Sequence, residues 1–302
     1  MPSDIDATVP GQRMVEGVPI LTTHGAVTGW AALHWQAARW FNGIANDATT
    51  PLPVPLLTTA FRREQPGFTI SQEQLKPRDL EWVDGLPVTT KLRSVGFEVR
   101  HATNWQEAVL TIDMAAYSDL ISVADLAAYI SDLGPWTGVV QARKALACAD
   151  ENAWSPQEVR MRLAWTQDAG LPRPLCNVPV FDCNGRHVGT PDLFDPAAGV
   201  AGEYDGSLHL TGAQRARDLR READFRAVGI EVVTMVSADR ANPQPFLERL
   251  HAAYIRSQRQ PASERRWTIH PPSWWIPTHT VLTRRGLTSS QRDRLLRYRG
   301  VA

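Results

Sequence analysis

Three carboxylates in one short stretch are spaced to do chemistry: Asp192, Glu203 and Asp205, in GTPDLFDPAAGVAGEYDG (189–206). Residues two apart on a strand face the same way, so Glu203 and Asp205 share a face. Between them and Asp192 lies the turn signal Asp195-Pro196-Ala197-Ala198-Gly199. A hairpin folded about positions 197–198 sets Asp192 across from Glu203, at cross-strand contact distance. Three acidic groups on one sheet face repel one another unless a cation or a shared proton holds them. An all-oxygen set of this kind suits Mg²⁺ or Mn²⁺, and such an ion is suited to phosphodiester chemistry. The same pattern also describes carboxylates at solvated strand ends.

The elements that must position these groups are readable on either side. Ser155-Pro156-Gln157-Glu158 opens a helix, with Ser as N-cap, Pro at the first helical position and Glu at the third. That helix runs to Ala169 and stops at Gly170-Leu171-Pro172. NVPVFD and RHVGTPDLF flank an Asn184-Gly185 turn, a strong hairpin signal. GVAGEYDG supplies a third strand, residues 212–227 an Arg-rich helix, GIEVVTMV a buried strand and residues 243–256 a last helix. The order α-β-β-β-α-β-α predicts a mixed sheet with helices on both sides.

Upstream, AVTGWAALHWQAARWF (26–41) carries apolar residues at helical spacing and ends at Asn42-Gly43. The β-prone pieces VPLLTTAF, GFTI, GLPVTT and GFEVRH predict a small mixed β region. Helical patterns follow over 105–118, 122–133 and 138–149. The chain thus divides into residues 1–150, residues 151–256 and a basic, aromatic-rich tail, 257–302. In fold class it reads as α/β, or α+β.

The 32 Lys and Arg balance the 32 Asp and Glu, so no global field announces a polyanionic partner. The imbalance is local: from Arg256 onward ten Arg face Glu264 and Asp293. Cys148, Cys176 and Cys183 are odd in number and form no CxxC pair, which predicts reduced thiols and a cytoplasmic protein. The spacing of Cys176, Cys183 and His187 fits no closed zinc site. No basic-then-apolar leader opens the sequence and no apolar run is long enough to span a bilayer, so no membrane partner is expected.

Residues 155–239 resemble the very-short-patch-repair-like branch of the PD-(D/E)XK nuclease superfamily. The likeness is carried by Glu158, Asp192-Leu193, Glu203-Tyr204-Asp205-Gly206 with His209, Arg217-Asp218 with Arg221, and Gly229-Ile230-Glu231-Val232, in order and on matching elements. GAVTGWAALHW and DGLPVTTKLRSVGFEVRHA are distantly similar to abortive-infection, AbiE-type antitoxins, whose N-terminal segment is a winged helix. The resemblance implies a restriction-endonuclease-like domain behind a winged-helix-like and small mixed α/β region. In activity it implies a metal-dependent endonuclease or nickase acting on DNA, in phage defence or mobile-element maintenance. A DNA-binding regulator of antitoxin type, with the nuclease fold as scaffold, is the alternative.

On that resemblance Asp192 and Glu203 are the metal carboxylates. Asp205 stands where the superfamily's Lys is usually found, and its metal role is expected beside theirs. His209 is then the substitute general base or acid, since imidazole titrates near working pH; otherwise it is a surface loop residue. Glu158 either contacts the ion through water or serves only as the reciprocal partner of the Ser155 cap. Arg217 and Arg221 share one helix face and could grip phosphate, although Asp218, Glu222 and Asp224 also make a salt-bridged solvated helix of this segment. Arg265 and Arg266 sit among tail aromatics, a mixture suited to nucleic-acid contact or to docking on the protein itself. A homodimer, and a protein partner for the tail, are left open.

Overall fold

In the computed structural model, residues 6, 8–45, 47–206, 212–259 and 261–300 are described, those at 212–218, 262, 298 and 300 by their backbone alone. The architecture is mixed α/β, in two units, Met1–Glu151 and Asn152–Ala302.

The first unit is built around Ala26-Val27 and Val54-Pro55-Leu56-Leu57, strands buried at every position. Its elements are α1 (Pro10–Glu16), β1 (Ala26–Val27), α2 (Gly29–Trp35), β2 (Val54–Leu57), β3 (Phe68–Ser71), β4 (Leu80–Val83), β5 (Leu86–Thr89), α3 (Lys91–His101), α4 (Trp105–Tyr117), α5 (Val123–Ser131) and α6 (Val139–Cys148). The sheet order is β3-β2-β1-β5-β4.

Two expectations are corrected here. The helix expected over 26–41 begins only at Gly29, because Ala26-Val27 is a central strand between β2 and β5. Gly29 turns the chain with φ +54°, where an added Cβ would lie 2.1 Å from a carboxylate oxygen of Glu98. GFEVRH, expected as β, is the second half of α3. There Arg93 and Arg100, two turns apart, both reach Glu73, at 2.7 and 2.6 Å. Helical spacing lets one carboxylate take both guanidiniums, which also lie beneath the Trp136 ring.

In the second unit α7 (Pro156–Leu163) runs on as a π-helical turn, Ala164–Asp168. Then come β6 (Leu175–Cys176), β7 (Val180–Asp182), β8 (His187–Gly189), β9 (Leu193–Asp195), β10 (Val200–Asp205), α8 (Gly212–Ala227), β11 (Glu231–Val236), α9 (Gln244–Ser257), β12 (Trp267–Thr268), α10 (Val281–Arg285) and α11 (Ser289–Leu295). RHVGTPDLF, expected as one strand, splits at Thr190-Pro191 into β8 and β9, which belong to different sheets. One sheet runs β11-β10-β9-β6, with β10 parallel to β11 and antiparallel to β9. The other is β12-β7-β8.

Alternation along the larger sheet sorts its side chains into two cores. Leu193, Val200, Val233 and Met235 pack with Met161 and Trp165 of the α7 segment and Phe246 and Leu250 of α9. Phe194, Ala201 and Val232 pack with Phe225 of α8. Helices therefore cover both faces.

The tail is part of this unit. Trp267 and Thr268 pair with Asp182 and Phe181, and the Trp267 ring meets Phe194 edge-on at 4.9 Å. No described helix is long and apolar enough to cross a membrane.

Candidate functional site

The hairpin that joins β9 to β10 sets the site. Asp195 opens its turn, accepting from the backbone N–H groups of Ala197 and Ala198 with one carboxylate oxygen. Its other oxygen accepts from the Tyr254 hydroxyl of α9 at 2.6 Å, and that hydroxyl in turn accepts from Trp165 Nε1. Gly199 closes the turn with φ +73°. With the turn held in this way, the ladder pairs Val200 with Asp195, Ala201 with Phe194 and Gly202 with Leu193. Asp192 and Glu203 lie just beyond the last ladder pair, Gly202 with Leu193. There the backbone N–H of Tyr204 donates to Asp192 Oδ2 at 2.7 Å. Gly202 is as tight as its place demands, since a Cβ there would meet the Trp165 ring at 3.0 Å.

Glu158 reaches the same end of the sheet from the first turn of α7. Its backbone N–H donates to Ser155 Oγ at 3.2 Å, as an N-cap requires. The return bond of a capping box does not go to Ser155, however. Glu158 Oε2 accepts instead from the N–H of Trp154 and from Asn177 Nδ2, both at 2.7 Å. Asn177 is held in the left-handed region, with φ 45°. Its own N–H donates to the Asp192 carbonyl, and its side chain is shared with the Asn152 carbonyl. Asn177 thus ties the helix carboxylate to the strand that carries the other one.

Electrostatically the two are a pair. Burial is the largest cause pushing the Glu158 carboxyl up, and the charge of Asp192 adds to it. Burial likewise raises Asp192, opposed by the Tyr204 N–H and by the Arg221 charge. Two carboxyls in this relation hold a proton between them or take a cation. The donor chemistry fits a divalent ion on a further ground: Asn177 Oδ1 is a buried oxygen acceptor without a donor. Among the described residues, no three His, Cys, Asp or Glu are grouped to hold a metal by themselves. Mg²⁺ commonly takes only one or two carboxylates, completing its shell with water and substrate phosphate.

The remaining predicted residues fall differently. Glu203, on the α8 face of β10, is salt-bridged by Arg221 Nη2 at 2.5 Å. Asp205 ends β10 in an exposed position, paired in register with Val236. His209 lies outside the described residues, as does the side chain of Arg217. Arg265 donates to the carbonyls of Pro196 and Ala197, capping the β9–β10 turn, while its guanidinium lies over the Trp267 ring. Arg266 donates to the Ala227 carbonyl at the end of α8. Both tail arginines named as nucleic-acid contacts are therefore engaged with their own backbone. The structure adds Asn177, which no spacing marks because its partners lie 19 and 25 positions away.

No family model matches the chain, and no solved structure matches it at significance. Two uncharacterized proteins of Mycobacterium tuberculosis, MT2308 of strain CDC 1551 and Rv2248 of strain H37Rv, are each 29% identical to it over 143 residues. The match covers 47% of this chain and 52% of each relative, so the chain spans about half the length of the curated relatives it matches.

Proposed function

We propose that this protein is a Mg²⁺- or Mn²⁺-dependent DNA endonuclease or nickase, whose second unit is a restriction-endonuclease-like catalytic domain. The observation that carries the reading is the approach of Glu158, buried at the start of α7, to the hairpin carboxylate Asp192, whose Oδ2 accepts from the Tyr204 N–H next to Glu203. Asp192 and Glu203 would hold the ion, with Glu158 beside them. Bound there, a divalent cation supplies Lewis acidity at the scissile phosphate and eases deprotonation of a water. Asn177 and the Trp154 N–H orient Glu158, and the Tyr204 N–H orients Asp192. His209 moves the proton, as base toward the attacking water or as acid toward the leaving oxygen. Arg217 and Arg221 contact phosphate from α8. The first unit, winged-helix-like in this reading, selects the site, and its AbiE-type likeness favours phage defence or mobile-element maintenance as the setting.

The test is cleavage of linear, supercoiled, mismatched and single-stranded DNA with Mg²⁺ or Mn²⁺. Asp192→Asn and Glu203→Gln should each abolish it, and His209→Ala should slow it by roughly 10²–10⁴-fold. A second reading is favoured by the Arg221 salt bridge to Glu203, which neutralises a candidate ligand without any metal. In that reading the protein is a DNA-binding regulator of antitoxin type. DNA binding with no cleavage under any divalent cation would establish it.

A further inference from the structure

Two guanidiniums of the first unit share one carboxylate and are not satisfied by it. The side chains of Arg93 and Arg100, on α3, are fully buried, whereas that of Glu73 is 17% exposed. Glu73 Oε2 accepts from Arg93 Nη2 at 2.7 Å and from Arg100 Nη2 at 2.6 Å. Its Oε1 accepts from Arg100 Nη1 at 2.9 Å and lies 2.7 Å from His101 Nε2. Arg100 Nη1 also donates to the Thr137 carbonyl. Arg93 Nε and Nη1 and Arg100 Nε stay buried without an acceptor among the described residues. The other acids along these segments are engaged elsewhere: Asp79 accepts from the Lys76 N–H and Glu98 from the Trp30 N–H. The surroundings are built to hold the arginines in place. The Trp136 ring lies over both guanidiniums, at 5.2 and 4.9 Å. Gly138, with φ +77°, lets its loop close on α3, where an added Cβ would stand 2.0 Å from the Arg100 carbonyl oxygen. The cluster opens to solvent on the side of Glu73, between exposed Gln72 and Gln74, and of His101, 39% exposed.

Two buried positive charges and a surplus of donors exceed what one carboxylate supplies with a single charge and two oxygens. A phosphate monoester brings about −1.5 to −2 charge at pH 7 and three strong acceptor oxygens. A guanidinium takes two such oxygens at once. We propose that Arg93, Arg100 and His101, beneath Trp136, form a binding site for a phosphate monoester, and that Glu73 is the internal anion that occupies it until the ligand arrives. Departure of Glu73 toward solvent hands its donors to the phosphate, whose further oxygens answer N–H groups that the carboxylate leaves unused. A phosphodiester carries one negative charge, as Glu73 does, so charge gives it no advantage over the resident group. The ligand is therefore a free or terminal phosphate and not the interior of a strand. The site lies wholly in the first unit and does not rest on the nuclease reading.

Calorimetric titration of the full-length protein tests the site, with methyl phosphate as the monoester probe and dimethyl phosphate as the diester. Wild type should bind methyl phosphate with a Kd of about 1 mM or tighter. Glu73→Gln should bind it about tenfold more tightly, because the competing internal charge is gone. Both proteins should bind dimethyl phosphate at least about tenfold more weakly than methyl phosphate. Arg100→Lys keeps the charge but loses the planar fork, and should lose most of the affinity. That comparison with wild type decides the matter even where E73Q does not fold. In a competition arm, displacement of methyl phosphate by a 5′-phosphorylated oligonucleotide, and not by its 5′-hydroxyl counterpart, assigns the site to strand ends; displacement by neither assigns it to a small phosphate. Binding to E73Q but not to wild type at about 10 mM would make Glu73 a permanent structural partner and overturn the proposal. Equal affinities in wild type and R100K, or for monoester and diester, would overturn it as well.

Discussion

Glu158→Gln gives the cleanest perturbation of the site, because it removes one ionisation and changes almost no shape. The amide oxygen of Gln can still accept from the Trp154 N–H and from Asn177 Nδ2. In the wild type, burial first and the Asp192 charge second push Glu158 from 4.5 up to about 8. The sign follows from proton counting. Across that interval the unfolded chain has given up its proton and the folded chain keeps it, so stability falls as pH rises. The contribution is fully present below the ordinary carboxylate range and is lost as pH climbs through the folded value. Each unit of displacement is worth about 1.4 kcal/mol. Because Glu158 and Asp192 share their titration, the net is smaller than the full displacement implies, roughly 2 kcal/mol. Scanning calorimetry in EDTA between pH 5 and pH 8.5 reads it as the melting of the second unit. For a unit of this size the wild-type transition should drop by about 4–8 °C more than that of the variant. Parallel curves for the two proteins would refute the argument, since they would mean that Glu158 ionises in the fold as freely as in the unfolded chain.

Three further outcomes are expected. At pH 8, Mg²⁺ or Mn²⁺ at about one hundred times its dissociation constant should stabilise the second unit by about 2.7 kcal/mol, an effect that calorimetry should find missing in Asp192→Asn. Gly189→Ala places a Cβ 2.7 Å from the tip of the Phe225 ring; urea denaturation should show a loss of about 1–3 kcal/mol from the forced displacement of α8. Arg265→Ala removes two bonds to the β9–β10 turn, so stability should fall by about 1 kcal/mol while duplex affinity, read by anisotropy, stays within about 2-fold.

What could be read from the sequence, and what could not, divides along the distance over which each residue is determined. The ladder that ends beside Asp192 and Glu203 is a local matter. Asp195 and Gly199 dictate a turn, the turn dictates the register, and the period of two does the rest. The cap of α7 is equally local, and so is the choice of Pro156 to follow it. Where a residue's conformation is decided by partners far along the chain, local pattern misleads. Ala26-Val27 looks like the start of an amphipathic helix, yet it is drawn into the middle of a sheet by β2 and β5. GFEVRH has the composition of a strand, yet it continues α3, the helix from which Arg93 and Arg100 both reach Glu73. The tail shows the same reach in its arginines: Arg265 donates to the carbonyls of Pro196 and Ala197 and Arg266 to that of Ala227, contacts that no local pattern announces. The site inherits both kinds of determination. Its strand carboxylates are placed by neighbours in sequence. The groups that set their charge, Asn177 and Arg221, arrive from other elements: Asn177 donates to Glu158, and Arg221 pairs with Glu203.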